Sequence, residues 1–276
     1  MTPPDSIEFA LWTDDAAIAG AAVAAGVNFV GPDLEVFEKR ARQPEPDTRI
    51  SDHTLASLPR LAKVVPPAQR FARCNPVRAE FQNEIEHLID AGVRCIMLPM
   101  ARSVDEVEYA QRVIAGRARL VIMLEQIALI DQLDALLGVP DVYGFYIGTN
   151  DLSRSMGYRT RFGAIADGTL ERVARRLTAS RRRFGFLGLS RDEHEFVTPP
   201  PVSPRLALSA MAFLGANWFM FARTFEPERP DFALRFRRCR ERIHPLRASE
   251  ASSLIERDFH EFLLQCSAAE RGVSSR

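Results

Sequence analysis

Two acids each follow an apolar run with the composition of a buried strand. Leu120-Val-Ile-Met-Leu124 runs directly into Glu125, and Val142-Tyr-Gly-Phe-Tyr-Ile147 breaks at Gly148 and reaches Asp151. Two neighbouring parallel strands that each end in an acid can set both carboxylates on one hard cation. Mg²⁺ takes one or two protein carboxylates, keeps some water and completes its octahedron with substrate oxygens. Such a site polarises a carbonyl as a Lewis acid. The competing reading makes Asp151 a helix cap and Glu125 the partner of an arginine. Arg73 ends another short run, Arg70-Phe-Ala-Arg-Cys74. Its guanidinium fork suits a carboxylate or a developing enolate oxygen, and equally suits a structural pair with Asp33 or Glu35. Gly148, Thr149, Asn150 and Asp151 can turn backbone N–H groups toward the same substrate carboxylate. His53 stands near a helix start and is a candidate proton carrier, although a surface histidine there is commonplace.

The composition narrows the chemistry. The chain has 276 residues, is 46% hydrophobic and carries no formal net charge. That is enough for one barrel-sized domain or equally for two smaller ones, and neutrality gives no electrostatic reason to expect nucleic acid or a membrane surface. No apolar run approaches the roughly 18 residues of a membrane helix. Met1-Thr-Pro-Pro-Asp5 lacks the basic and apolar regions of a secretion signal. The four cysteines show no metal or redox spacing, so a reducing cytoplasm is the default expectation. Lys39 and Lys63 are the only lysines, and neither lies in a strand run. A Schiff-base enzyme needs a desolvated lysine beside its substrate, so carbonyl chemistry here calls for a metal instead. The arginine-rich stretch from Arg235 to Arg242 reads as a solvated helix face.

Eight strands must position these residues: Ile7–Trp12, Asn28–Asp33, Arg70–Cys74, Arg94–Leu98, Leu120–Leu124, Val142–Ile147, Phe184–Gly188 and Asn217–Phe221. Between them lie helical patterns. Asp14 is placed to cap the alanine-rich one that stops at Gly26, and Ser103 with Glu106 makes a capping box. Leu55 to Val65 reads as a helix that Pro59 disturbs, and Gly168 to Arg182 as a long basic one. Strict alternation implies parallel strands with crossover helices. Eight units close into a TIM (β/α)8 barrel. A doubly wound sheet would carry a glycine-rich turn after strand one, where this chain has Trp12-Thr-Asp-Asp15. In a barrel the chemistry gathers at the strand ends, which here offer Asp33, Glu35, Arg73, Asn75, Pro99, Met100, Glu125, Asp151, Arg191 and Arg223. Helices at Asp231–Ile243 and Ala248–Glu270 follow, then a tail from Arg271 expected to be disordered. The expected organisation is a catalytic barrel over 1–243 and a helical extension over 244–276. Leu254, Ile255, Phe259, Phe262, Leu263 and Cys266 form an apolar stripe on that extension, which must be buried against something.

The ordered set of Arg73, Ile96-Met-Leu-Pro-Met100, Met123-Leu-Glu125 and Ile147-Gly-Thr-Asn-Asp-Leu-Ser153 resembles the HpcH/HpaI aldolase and citrate lyase beta-subunit family, a group of pyruvate-utilising TIM barrels. The resemblance covers about Ile7 to Phe225. It implies that Glu125 and Asp151 ligate Mg²⁺ or Mn²⁺, that Arg73 stabilises an enolate oxygen, and that backbone amides around Gly148 to Asp151 bind the substrate carboxylate. Pro99 then lines the substrate, and Asp33 and Glu35 orient Arg73 or metal-bound water. The implied reaction is carbon–carbon lysis between a pyruvate-type 2-oxoacid and an aldehyde. A CoA-thioester lyase and a barrel that binds an oxoacid without turnover are the alternatives. Val36 stands where the family's aldolases carry an acid/base histidine, leaving Glu35, His53 or a metal-bound water as the proton carrier. Such proteins commonly exchange C-terminal helices, which implies a homo-oligomer built through the region after Phe225.

Overall fold

The computed structural model describes residues 6–37, 52–190, 202–246 and 252–274. The polar loop after Glu35, the proline-rich segment before Pro204 and Arg191 lie largely or wholly outside them. The chain divides into two compact units, Ala10–Phe145 and Met1–Phe9 with Tyr146–Arg276.

The first unit is built of parallel strands joined by helices. Strand β1 (Glu8–Trp12) leads to helix α1 (Ala16–Ala25) and β2 (Phe29–Gly31), and β1 pairs with β2 so that Trp12 lies opposite Gly31. Asp15 caps α1, not Asp14: its Oδ1 accepts from the amides of Ala17 at 2.7 Å and Ile18 at 3.0 Å. Leu55 to Ser57 is a 3-10 turn that opens α2 (Leu58–Leu61). Pro59 falls in the first turn of α2, where its missing N–H has no partner to lose, so it begins the helix and does not disturb it. Strands β3 (Phe71–Arg73), β4 (Cys95–Leu98) and β5 (Arg119–Leu124) are parallel in sequence order, with α3 (Phe81–Asp90) and α4 (Val104–Ile114) crossing over. Short helices α5 (Ile127–Ile130) and α6 (Leu133–Gly138) lead to β6 (Val142–Ile147), the neighbour of β5.

Strands β2 and β3 meet through isolated bridges, Val30 with Arg70 and Asp33 with Arg73. The second bridge sets the two charged residues side by side. Gly31 makes the approach possible, because a Cβ there would lie 1.6 Å from the Phe71 carbonyl oxygen.

In the second unit the end of β6 neighbours β7 (Phe184–Phe186). Sequence reading made Phe184–Gly188 one strand. Leu187 interrupts it with φ 55°, and the chain resumes as β8 (Gly188–Leu189), parallel to β9 (Trp218–Phe221). The described residues therefore carry nine strands where eight are expected. The turn expected after Gly148 is the first turn of α7 (Thr149–Ser155), followed by α8 (Gly163–Ala166), α9 (Thr169–Ala179), α10 (Pro204–Phe213), α11 (Phe232–Leu246) and α12 (Ser252–Ser274). The tail is helical as far as Ser274, beyond the expected stop at Arg271.

The apolar stripe of α12 is covered by its own chain. Ile255, Phe259, Phe262 and Cys266 are buried. Phe259 stacks on Phe213 of α10 at 4.7 Å. Asp258 accepts from Ser209 Oγ at 2.9 Å and pairs with Arg205 at 2.6 Å. At the far end Glu270 accepts from the amide of Thr160 at 3.1 Å. The stripe thus needs no neighbouring subunit to bury it, and the argument for helix exchange drawn from it falls. Leu254, counted in the stripe, is 48% exposed.

Candidate active site

Arg73 is the centre of the first unit's charged cluster. It closes β3 and is almost fully buried. Its Nε donates to Asp33 Oδ1 and its Nη2 to Asp33 Oδ2, both at 2.7 Å, a bidentate fork that fixes the guanidinium plane. Nη1 lies 3.0 Å from Glu35 Oε2 and 3.5 Å from the Met123 sulfur. The Trp12 ring, at the end of β1, faces the guanidinium at 4.2 Å. Such stacking favours the cation. Burial by itself would lower the Arg73 pKa, but Asp33, Glu35 and then Glu125 raise it well above its ordinary value. Arg73 is a permanent cation, and the cluster orients it.

The supporting groups are themselves fixed. Asp33 Oδ1 also accepts from the Glu35 amide at 3.2 Å, which tightens the loop after β2. His53 Nδ1 accepts from the Asp33 amide at 3.0 Å, and its Nε2 lies 3.4 Å from Asp14. Both ring nitrogens are therefore engaged. The ring holds the backbone at Asp33 in place. Asn75 Oδ1 accepts from the amides of Val36 and Phe37, both at 3.0 Å, while its Nδ2 donates to Glu84 at 3.0 Å.

Glu125 follows β5 and is 3% exposed. Its Oε2 accepts from the Met100 amide at 3.1 Å. Met100 follows the buried Pro99 and takes φ 59°, a left-handed conformation that costs a residue with a Cβ on the order of 1 kcal/mol. That strain aims an amide at the carboxylate, and strain of this kind gathers at functional sites.

Asp151 belongs to the second unit. It is buried in the first turn of α7, which begins at Gly148 with no side-chain cap. Asp151 is therefore not the N-cap. Thr149 is buried beside it in the chain, and Asn150 is half-buried. The same unit holds a cleft of about 240 Å³ lined by Leu189, Met211, Arg235, Arg238 and Arg242 among others, and none of the expected site residues lines it. Lys63 is exposed and Lys39 lies outside the described residues, so neither described surface nor core offers a desolvated Schiff-base lysine.

Three buried carboxyl groups, Asp33, Glu35 and Glu125, lie in the electrostatic surroundings of Arg73, the setting in which a divalent cation is held. Buried charge must be paired or coordinated. Among the described residues no group of three or more His, Cys, Asp or Glu side chains is arranged to hold a metal. A site with two protein carboxylates falls below that number and matches a cation that completes its shell with substrate and water.

Sequence reasoning placed Arg73, Asp33, Glu35 and Glu125 at strand ends but gave Trp12, Glu84 and Met100 no specific part in the site. Trp12 had a usable signal, as the aromatic residue that closes strand one. Glu84 had another: an acid at the buried spacing of Phe81, Ile85 and Leu88 in α3 must meet a partner. The φ of Met100 has no signal in the sequence.

One buried arginine and several acids are carried at the ends of parallel strands joined by helices, an α/β arrangement that gathers charge at one place. The sequence profile described as HpcH/HpaI aldolase/citrate lyase matches residues 41–186, more than half of the chain, and the chain belongs to that family. A 2-keto-3-deoxy-L-rhamnonate aldolase of Klebsiella pneumoniae is 26% identical over 206 residues, 62% of this chain and 70% of that one. An HpcH/HpaI aldolase/citrate lyase family protein of Burkholderia cenocepacia has a TM-score of 0.58 at 16% identity, over 88% of this chain and 96% of that one. A citrate lyase beta subunit of M. tuberculosis, complexed with oxaloacetate and magnesium, has a TM-score of 0.56 at 18% identity, over 86% and 100% of the two chains. The likeness to these structures is one of fold.

Proposed function

We propose that this protein is a divalent-metal-dependent carbon–carbon lyase that makes or breaks an aldol bond between a pyruvate-type 2-oxoacid and an aldehyde. The observation that carries the reading is the buried Arg73 guanidinium, its plane fixed by the Asp33 fork and paired with Glu35, in one cluster with the buried Glu125. A fixed guanidinium beside an acid that can ligate metal suits a dication and an oxoanion arriving together. The family, the M. tuberculosis neighbour crystallised with oxaloacetate and magnesium, and the rhamnonate-aldolase relative support the same chemistry.

Glu125 and Asp151 are the proposed ligands of Mg²⁺ or Mn²⁺, by the resemblance of the motifs that contain them. The ion supplies Lewis-acid polarisation of the keto carbonyl when bound. Arg73 presents its guanidinium to the oxygen that gains charge as the enolate forms, and Asp33 keeps that plane from turning. Glu35, 1% exposed and in contact with Arg73, handles the proton that the family's histidine would carry at Val36. Pro99 and the backbone of Gly148, Thr149, Asn150 and Asp151 bound the oxoacid. The aldehyde reading stands above a CoA-thioester lyase because the relative it rests on is an aldolase matched in sequence, whereas the citrate lyase likeness is one of fold.

We also propose a cytoplasmic homo-oligomer. Leu234, Leu254 and Leu264 are each about half exposed or more on α11 and α12, and an assembly through that region would cover them.

Exchange of the pyruvate methyl protons in D₂O with added MgCl₂ or MnCl₂ tests the lyase reading. Exchange should require the metal and vanish in Glu125→Ala and in Asp151→Ala, while circular dichroism shows both variants folded. Full exchange in excess chelator, or in either variant, sinks it.

A further inference from the structure

Tryptophan carries one polar group, an indole N–H that only donates. When buried it ordinarily finds an acceptor. Trp12 Nε1 is shut from water and has no hydrogen-bond partner among the described residues. The residue itself is partly exposed and stands at the end of β1, with its ring against the Arg73 guanidinium at 4.2 Å. Arg73 brings two carboxylates to the same place, Asp33 and Glu35, yet none of their oxygens takes the indole proton. A donor left unsatisfied among acceptors is destabilising, and such groups call for an explanation. Trp218 makes the contrast. Its side chain is wholly sealed in the core, edge-on to Tyr146 at 6.3 Å. Other atoms of the Trp12 side chain do reach the surface, and it lies against the residue that the proposed reaction uses.

We infer that the Trp12 indole N–H is reserved for substrate and donates to an oxygen of the bound 2-oxoacid, beside the Arg73 guanidinium. The inference rests on the lyase reading and adds a binding residue to it. Arg73 supplies charge, and Trp12 supplies a neutral donor that an oxygen can meet without displacing Asp33 or Glu35. Oxoacid binding then satisfies a group that the empty protein leaves bare.

Trp12→Phe keeps an aromatic face for Arg73 and deletes only the donor and the second ring. In the metal-dependent proton-exchange assay its KM for pyruvate should rise about tenfold or more, the range of a lost hydrogen bond to a charged group. The concentration of metal needed for half-maximal rate should stay unchanged, and the thermal midpoint should not fall in step with the KM. An unaltered KM alongside normal wild-type exchange overturns the Trp12 assignment alone. Absence of exchange in the wild type overturns the lyase reading itself. A second measurement needs no variant. The chain has two tryptophans, so ¹⁵N labelling gives two indole signals. Saturating MgCl₂ and oxalate should move one of them downfield, and two unmoved signals at saturation would overturn the inference.

Discussion

Arg73 is gripped by Asp33 and paired with Glu35, and substitutions should separate its two duties. Arg73→Lys keeps a charge but loses the fork that Asp33 grips. Turnover should drop by about 10²–10³, as for loss of one oxyanion donor. A change under about threefold would mean the residue is structural. Arg73→Ala leaves Asp33 and Glu35 buried without their cation, so unfolding free energy in urea should fall by about 3–5 kcal/mol. Glu35→Gln retains the volume and leaves Asp33 to hold the guanidinium. Its kcat should fall by about 10²–10⁴ if it carries the proton, and the limb of the pH–rate profile assigned to that proton should vanish. A persisting limb would move the role elsewhere. At this scale the sequence was informative about identity and silent about partners. Arg73, Asp33, Glu35 and Glu125 stood out as charges at strand ends. Whether Arg73 faced acids or substrate was left open, because residues 40 positions apart meet only through a strand bridge. His53 looked like a titrating group, and its fixed ring follows from an amide 20 residues away.

The elements that carry the cluster were legible where hydrophobic runs were long and uninterrupted. Strands β4, β5 and β6 lie where the apolar runs placed them, because buried parallel strands read as continuous hydrophobic segments. Short elements were less legible. Leu187 at φ 55° splits one expected strand in two, and its neighbours Phe186 and Gly188 give no sign of it. Gly148 looked like the start of a turn, since a glycine at a strand end opens a turn and a helix alike. Gly31 is the position where an element can be tested. Gly31→Ala would drive a Cβ into the Phe71 carbonyl, so β2 and β3 must part and the Asp33–Arg73 bridge with them. Loss of stability above about 3 kcal/mol is expected, in the severe tail of single substitutions, together with loss of activity. A fully active, equally stable variant would show that the bridge is not needed.

At the scale of the whole chain, α12 earns its place by internal packing. Phe262 is fully buried, and Phe262→Ala should cost about 3–5 kcal/mol. Assembly, by contrast, is assigned to residues the fold leaves outside. Leu254→Glu with Leu264→Glu should lower the mass measured by light scattering and leave the thermal midpoint of the dissociated chain near that of the wild type. A wild-type monomer at micromolar concentration removes the oligomer proposal. The buried thiols should be quiet. Burial pushes Cys239 up to about 12 and raises Cys74 and Cys266 too, so little nucleophilic thiolate exists at neutral pH. Native protein should react slowly with iodoacetamide, and unfolded protein rapidly.

A metal held by Glu125 and Asp151, as proposed, would also make the folded state a detector of free divalent ion. An ion that binds the native chain and not the unfolded one adds stability by mass action, about 2.7 kcal/mol at a concentration one hundred times its dissociation constant. The melting temperature should therefore climb with the logarithm of MgCl₂ or MnCl₂ and fall back in EDTA. Sodium chloride at matched ionic strength should not reproduce the climb, because screening by mobile ions reaches buried groups poorly. Glu125→Gln replaces a proposed ligand with a weaker one of the same size. It should flatten the response, so that the variant no longer registers the ion.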